Sequence, residues 1–373
     1  MKKFKVGLIV SALLLAALVV AGFVVLSLPP FGGKVTGARL ERVRANPQFE
    51  NGEFVNVQRQ TPYSFNSLRT FVVGQMLGDE VRVPPSPIPV VPVDPASLAS
   101  PPAPGLRAFW IGHASVYVEV DGLRVLIDPV FSDHASPFAV GPKRFHLPPI
   151  ALASLPRIDA VVISHDHYDH LDMATVRHLA GRGSQFFVPL GVGAHLEAWQ
   201  VPAAQIHEME WWQEQTLGGV RFVCTPTRHY SGRGLTDYKA TLWSSWSVVG
   251  PRHRFFYSGD TGYSQHFQEI GARLGPFDMG FIKVGAYGPG ASWIDIHMTP
   301  EQAVQAHEEV RGGRLFPVHW GTFNLALHAW DEPIRRTVQA AAARRVELVT
   351  PRVGQTVVAG QPFASDAWWE AVK

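Results

Sequence analysis

Nine residues of this chain, Ser164-His165-Asp166-His167-Tyr168-Asp169-His170-Leu171-Asp172, carry three imidazoles and three carboxylates. They follow Ile158-Asp159-Ala160-Val161-Val162-Ile163, an apolar, β-branched run of strand length. Residues 173–179 then read as a helix with Asp172 as its N-cap. The cluster therefore lies on a strand-to-helix loop at the carboxyl end of a strand, where α/β layers bind ligands.

The spacing is His-x-His-x-Asp-His. Nitrogen and oxygen donors together suit a borderline divalent ion such as zinc. Four ligands from one short loop would crowd a single ion. They divide instead, His165 and His167 to one ion, Asp169 and His170 to a second. Two ions roughly 3.5–4 Å apart would share a bridging water and hold both ends of a displacement reaction. A solvated polar loop is the bland alternative, and the joint spacing just after an apolar strand argues against it.

Two ions need further ligands. His229 lies in Pro226-Thr227-Arg228-His229-Tyr230-Ser231-Gly232, just past a strand-like run, and can complete a three-histidine set. Asp260 lies in Tyr257-Ser258-Gly259-Asp260-Thr261-Gly262. The glycines allow close backbone approach, and a carboxylate can bridge two ions where a neutral imidazole cannot. His319, in Phe316-Pro317-Val318-His319-Trp320-Gly321, would join Asp169 and His170. His165, His229, Asp260 and His319 all follow apolar strand-like runs, and strand ends on one edge of a sandwich converge.

The rest of the chain sets the frame. Its 373 residues allow one large domain plus extensions, and 46% hydrophobic content is enough for a substantial core. A net charge of +2 without a long block of like charges argues against a nucleic-acid partner. The single cysteine, Cys224, excludes an intramolecular disulfide and reads as a small buried hydrophobe. Residues 6–28 are apolar, uncharged and long enough to span a bilayer. Lys2, Lys3 and Lys5 precede them, as in a signal peptide, but the run is too long and lacks a clear small-x-small site, so an uncleaved anchor is expected. The lysines place the catalytic domain on the periplasmic or external side, although Lys34, Arg39, Arg42 and Arg44 nearly cancel the bias.

The expected organisation is an anchor at 1–30, an N-terminal extension at 31–104 and a hydrolase domain at 105–373. Within the extension, 67–77 reads as a short amphipathic helix. The proline-rich stretch 84–104 reads mostly as a passive spacer, with a course along the domain surface as the alternative. Strands are expected at 106–111, 116–120, 123–127, 185–188, 220–224, 241–249, 254–257, 277–284 and 315–318, with Asp121-Gly122 as a tight turn. Helices are expected at 192–199, at 300–310 behind an N-cap at Thr299, and at 333–343. Hairpins come first and then alternate with helices, which predicts an α/β sandwich of two sheets with helices outside.

The set of His-x-His-x-Asp-His, a distant His, Gly-Asp-Thr-Gly and a final His after a strand resembles the metallo-β-lactamase superfamily, over about residues 106–360. That resemblance implies an αββα sandwich with a dinuclear zinc site. A closer similarity is to the N-acylphosphatidylethanolamine-hydrolysing phospholipase D subgroup and its bacterial relatives. It rests on Trp110-Ile111-Gly112-His113-Ala114-Ser115, Leu126-Ile127-Asp128-Pro129-Val130-Phe131 and Gly141-Pro142-Lys143-Arg144. Ser231-Gly232-Arg233-Gly234 with Leu242-Trp243, His297-Met298-Thr299-Pro300-Glu301-Gln302-Ala303 and His319-Trp320-Gly321-Thr322-Phe323 add to it, and residues 49–55 look like that subgroup's extension.

The resemblance implies two Zn2+ as cofactors: His165, His167 and His229 on one, Asp169, His170 and His319 on the other, Asp260 bridging. It also implies an active-site role for His297, in binding substrate or protonating a leaving group. Asp166, between two ligand histidines, is a candidate to orient the attacking water or carry its proton, or else a supporting carboxylate. Asp128 and His113 read as supports. One departure stands out: an Arg-Trp pair commonly follows the proline of the subgroup's Gly-Ala-Tyr-x-Pro loop, and the arginine is absent from Gly285-Ala286-Tyr287-Gly288-Pro289-Gly290-Ala291-Ser292-Trp293.

The expected partners are a membrane and a phospholipid or other small-molecule substrate; a homodimer is compatible with the sequence. The favoured activity is a phospholipase D-type phosphodiesterase. Trp211, Trp212, Trp243, Trp246 and Trp293 suit a lipid, though buried aromatics are more often core. The rivals are a lactonase or β-lactamase-like hydrolase of a small carbonyl substrate, and a membrane-tethered metal-binding protein without catalysis. The full ligand set disfavours the last.

Overall fold

The computed structural model describes residues 13–17, 20, 22–62 and 64–373. Of the expected anchor at 6–28, residues 6–12, 18–19 and 21 lie outside the described residues. Among the described residues no helix is long and apolar enough to cross a membrane.

The first strands in order are β1 (Phe49–Glu50), β2 (Glu53–Phe54), β3 (Leu106–Gly112), β4 (Ser115–Val120), β5 (Leu123–Ile127), β6 (Ala160–Val162), β7 (Gln185–Pro189) and β8 (Ile206–Met209). Then come β9 (Glu214–Leu217), β10 (Val220–Thr225), β11 (Ser245–Val249), β12 (Arg254–Tyr257), β13 (Phe277–Lys283), β14 (Gly312–Val318), β15 (Glu347–Leu348) and β16 (Thr356–Val358). Apart from the small β1–β2 pair, they form two seven-stranded sheets among the described residues, ordered β16-β3-β4-β5-β6-β7-β8 and β15-β14-β13-β12-β11-β10-β9. In each sheet, antiparallel pairs give way to parallel ones, at β5–β6 in the first and β12–β13 in the second.

Side-chain alternation decides the layers. In β4, Val116, Val118 and Val120 enter the core between the sheets, while Tyr117 turns outward beside Phe109 and Leu126. Fully burying each such valine stabilises the fold by about 1.5–3 kcal/mol. The helices Met173–Ala180 and Gly193–Ala198 cover that outer face with Val176, Leu179 and Leu196. On the far side, Pro300–Glu309 packs on β13 and β14, and His266–Leu274 and Glu332–Arg344 pack beside it. The start signals behave as expected: the Asp172 carboxylate accepts from Ala174 N–H, and Thr299 with Gln302 closes a capping box. Asp121 and Gly122 both take positive φ, 44° and 94°, as a type I′ hairpin turn requires.

Three expectations change. Residues 241–244 do not join β11. Leu242 N–H is given to Leu190 O, Ser244 N–H to Ser164 O and the Thr241 hydroxyl to Asp166, so this stretch bonds to neighbouring loops instead of a ladder. The helix His266–Leu274 was not anticipated, because Gln265 at its start makes no side-chain cap. The proline-rich stretch is no free spacer: Val91 N–H bonds to Val353 O at 2.8 Å, Val93 N–H to Pro149 O at 2.9 Å, and Ile88 and Leu98 are buried. Its few apolar side chains have somewhere to go, so it follows the surface course.

The earlier part of the extension is held as firmly. Arg39 pairs with Glu208 at 2.8 Å and with Glu197 at 2.8 Å, and Val43 and Phe54 pack on Leu190, Leu242 and Trp243.

Several buried histidines lie away from the loop cluster. Burial, then Arg144, pushes His146 down to about 4. Burial, then Arg228, pushes His266 down to about 3. Burial pushes His307 down to about 4 against a bond to Gly313 O. Unfolded, each titrates near 6.5. Below that pH the unfolded chain takes up protons that the native chain refuses, so stability is full above about pH 6.5 and falls as the pH drops toward 4. Chemical denaturation should show the unfolding free energy falling by up to about 1.4 kcal/mol per pH unit for each such histidine. His307→Gln should flatten that slope, and an unchanged slope would contradict the assignment.

Candidate metal centre

The centre begins at a fully buried carboxylate. Asp128 follows β5 with φ 35°, and its oxygens accept from Ser164 N–H at 2.7 Å, the Ser164 hydroxyl, the Tyr257 hydroxyl and His170 Nδ1–H at 2.6 Å. Because Nδ1 of His170 donates to Asp128, Nε2 is the atom that faces the centre. His229 is oriented likewise: Nδ1 lies 3.1 Å from Ile296 O, a carbonyl that can only accept, which leaves Nε2 as the lone pair. His113 Nε2 lies 2.8 Å from Asp169 Oδ2 and fixes that carboxylate.

Strand ends deliver these groups by turning into the left-handed region. His113 has φ 51°, His319 φ 64° and Gly259, just before Asp260, φ 54°. At the non-glycine positions this costs about 1–3 kcal/mol each and persists where surrounding structure fixes it. At Gly259 a Cβ would lie 2.5 Å from Ser244 O and 2.9 Å from Ser164 Cβ, so the close approach expected beside Asp260 is real.

Two sets of donors result. In one, His165 Nε2 lies 2.9 Å from His167 Nδ1, and His229 Nε2 lies 3.4 Å from it. In the other, Asp169 Oδ2 lies 3.4 Å from His170 Nε2 and 3.5 Å from His319 Nε2. Asp260 Oδ2 stands between them, 3.0 Å from His319 Nε2, 3.4 Å from His170 Nε2 and 3.9 Å from His229 Nε2. Tetrahedral zinc with nitrogen ligands has ligand-to-ligand edges of about 3.3 Å. Moreover His170 Nε2, His319 Nε2 and Asp260 Oδ1 are buried without a hydrogen-bond partner. Leaving such atoms unpaired is costly. Convergent, unpaired nitrogen and oxygen donors are what divalent ions require, so the residues fit a metal pair.

Electrostatics points the same way. Burial, then the neighbouring imidazoles, holds His165 well below the usual histidine range. Burial does the same for His229 against the pull of Asp260. Burial alone would raise Asp260, but His319 and His170 outweigh it and hold the carboxyl well below its usual range. For His170, burial is outweighed by Asp260, Asp169 and Asp128, which hold it above the usual range. Neutral imidazoles and ionised carboxylates are the ligand forms, and an ion at His170 would take the place of its proton.

All seven expected ligands are thus brought together. His297 joins them: its Nδ1, buried and unpartnered, lies 3.7 Å from Asp260 Oδ2. Asp166 does not. Its Oδ1 accepts from Gly232 N–H at 2.7 Å, and its Oδ2 from Thr241 Oγ1 at 2.8 Å and His195 Nε2 at 3.2 Å. Its oxygens anchor the loop, in the supporting role that was the alternative to a catalytic one. Sequence reasoning passed over Lys283 at the end of β13, fully buried, with an unpartnered ammonium that burial pushes down to about 7 against the pull of Asp260. A lysine inside Phe281-Ile282-Lys283-Val284 was the available signal.

Residues 123–320 match the family described as "Beta-lactamase superfamily domain". This chain belongs to the metallo-β-lactamase superfamily. Its family and its candidate metal ligands are those of a metal-dependent hydrolase. An uncharacterized protein of Mycobacterium tuberculosis is 45% identical over 349 residues, 89% of this chain and 91% of the relative. N-acyl-phosphatidylethanolamine-hydrolyzing phospholipase D 1 of Caenorhabditis elegans is 40% identical over 233 residues, 59% of this chain and 65% of that enzyme. The metallo hydrolase Igni18 of Ignicoccus hospitalis shares the fold, with a TM-score of 0.53 at 21% identity over 69% of this chain and 99% of Igni18.

The position of Asp260 predicts a difference between two variants. Asp260→Ala should weaken both bound ions, whereas His229→Ala should mainly remove one. Elemental analysis after dialysis measures this; equal and negligible losses in both variants would contradict the bridging assignment.

Proposed function

We propose that this superfamily member is a two-zinc phosphodiesterase of the phospholipase D type, acting on N-acylphosphatidylethanolamine-like phospholipids at a membrane. The observation that carries this reading is the carboxylate of Asp260 between two convergent ligand sets, an arrangement suited to in-line displacement at phosphorus. The C. elegans relative supplies the substrate class. Two ions held there would supply an activated water and a Lewis acid for a phosphoryl oxygen.

The chain's own groups do the rest. Asp128 and the Ile296 carbonyl fix the tautomers of His170 and His229, and His113 steadies Asp169. His297 is held well below the usual histidine range by burial and then by Lys283, so it is neutral. A neutral ring offers one N–H and one lone pair, the two functions needed to relay a proton to a departing alkoxide. Beside the Gly285–Trp293 loop lies the helix Phe65–Leu77, whose Phe71 packs on Trp293 with ring centroids 5.4 Å apart. The same helix leaves Phe65, Val72, Val73, Met76 and Leu77 exposed, an apolar surface suited to a lipid aggregate. Arg82 of the extension lines a cavity bordered by His113, Ala286 and His319, with its guanidinium donating to Gln75 Oε1 and Gly74 O.

Hydrolysis in ¹⁸O-labelled water tests the bond cleaved. Label should enter the phosphate product and leave the released alcohol and fatty acids unlabelled. Label in a carboxylate would mean attack at carbon and would support the lactonase or lactamase reading instead.

An N-terminal membrane segment, with the catalytic domain on the periplasmic or external side, completes the proposal. Pro29 O accepts from Trp199 Nε1 at 2.7 Å, and Pro30 O accepts from Arg233 Nη2 at 2.8 Å. Deleting residues 1–28 should release the protein from membranes with its melting midpoint unchanged, whereas deleting 1–34 should lower the midpoint by a few degrees. Fractionation and calorimetry check both; full-length protein found wholly in the soluble fraction would contradict the membrane segment.

A further inference from the structure

The extension does more than lead up to the catalytic domain. Asn56, buried, forms a two-way bridge with the main chain of His229: its Oδ1 accepts from His229 N–H at 3.0 Å, and its Nδ2 donates to His229 O at 2.8 Å. Gln60 Nε2 donates to the same carbonyl at 3.0 Å. Asn56 is itself fixed, because its Oδ1 also accepts from Trp243 Nε1 at 2.8 Å. The neighbouring ligand-bearing turn is tied in too. Arg228 donates to Gln58 O at 3.1 Å and Arg59 O at 2.7 Å and pairs with Asp295 at 2.7 Å, while Asp295 accepts from Thr61 N–H at 2.7 Å. The imidazole of His229 is fixed on its other side by Ile296 O.

We infer that Asn56, assisted by Gln60, is a positioning residue for the metal ligand His229, so that residues 56–61 of the extension are a working part of the three-histidine site. The argument is geometric. His229 follows β10 by four residues, in a loop with no ladder hydrogen bonds of its own. Among its described main-chain bonds, N–H and C=O are both given to the extension. Moving a ligand backbone by a fraction of an ångström moves its Nε2 by at least as much. Groups that orient ligands in this way typically alter metal affinity by about 10–100-fold when removed. His165, His167, Asp169, His170 and His319 have no such bond to residues 56–61, so the effect falls on one ion.

This inference rests on reading His229 as a metal ligand, and the test separates the two. The full-length zinc-loaded protein is titrated with a chelator, and the two equivalents are followed individually. Cobalt substitution reports the geometry of the three-histidine position through its visible spectrum. In Asn56→Ala one equivalent should be held about 10–100-fold more weakly, with an altered cobalt spectrum, while the second equivalent stays as in the parent. The melting midpoint of the chelated protein should shift by no more than a few degrees. Gln60→Ala, which removes one of two donors to His229 O, should change the same equivalent in the same direction by a smaller factor, and it carries the test if Asn56→Ala does not fold. Both equivalents held as tightly as in the parent would overturn the inference. So would equal weakening of both, since that reports general destabilisation. A parent protein that binds no more than one ion would instead overturn the two-ion reading on which the inference stands.

Discussion

Four hydrogen bonds converge on the Asp128 carboxylate, and the site depends on them. Two come from Ser164 at the end of β6, one from His170 in the metal loop and one from Tyr257 at the end of β12 in the opposite sheet. A buried carboxylate without partners would be very costly. With these four it becomes a fixed point that ties the two sheets together at the edge where the ligands emerge. The same bonds set the tautomer of His170. Packing, loop conformation and metal-ligand chemistry therefore meet in one side chain. The Tyr257 hydroxyl, pushed well above its usual range by burial and then by Asp128, stays protonated and can only donate there.

From this point the symmetry of the two sheets does much of the work. Each passes from antiparallel hairpins to parallel strands, and the parallel strands end on the same edge. Asp128, His165, Asp260 and His319 all lie just beyond those ends. Asp128 and His319 then take positive φ, as does Gly259 just before Asp260, which turns side chains from the sheets toward one another. The cost in backbone energy and in unpaired buried donors would be offset by a cation bound between them, which is why these residues fit metal chemistry.

Much of this was legible in the sequence because it is local. The spacing His165, His167, Asp169, His170 is confined to one loop between a strand and a capped helix, so a single stretch determines it. His229, Asp260 and His319 were legible because each follows an apolar run, and strand ends in a sandwich converge. Non-local pairings were not legible. Residues 241–244 looked like strand because they run into the apolar stretch of β11, with a β-branched Thr241 and an aromatic Trp243, yet their donors go to Asp166, Ser164 and Leu190. The partners of Asp166 were not legible either, since Gly232, Thr241 and His195 come from distant parts of the chain. Asn56 carries no local signal at all; its importance is a matter of which backbone it meets.

The central claim is that one carboxylate, Asp260, stands between two ions held by two separate ligand sets. X-ray absorption spectroscopy of the zinc-loaded protein tests it most directly. The account predicts two equivalents of zinc in nitrogen and oxygen environments and a metal–metal scattering component at roughly 3.5–4 Å. Two equivalents of bound zinc without that component, or a single mononuclear ion at saturation, would contradict it.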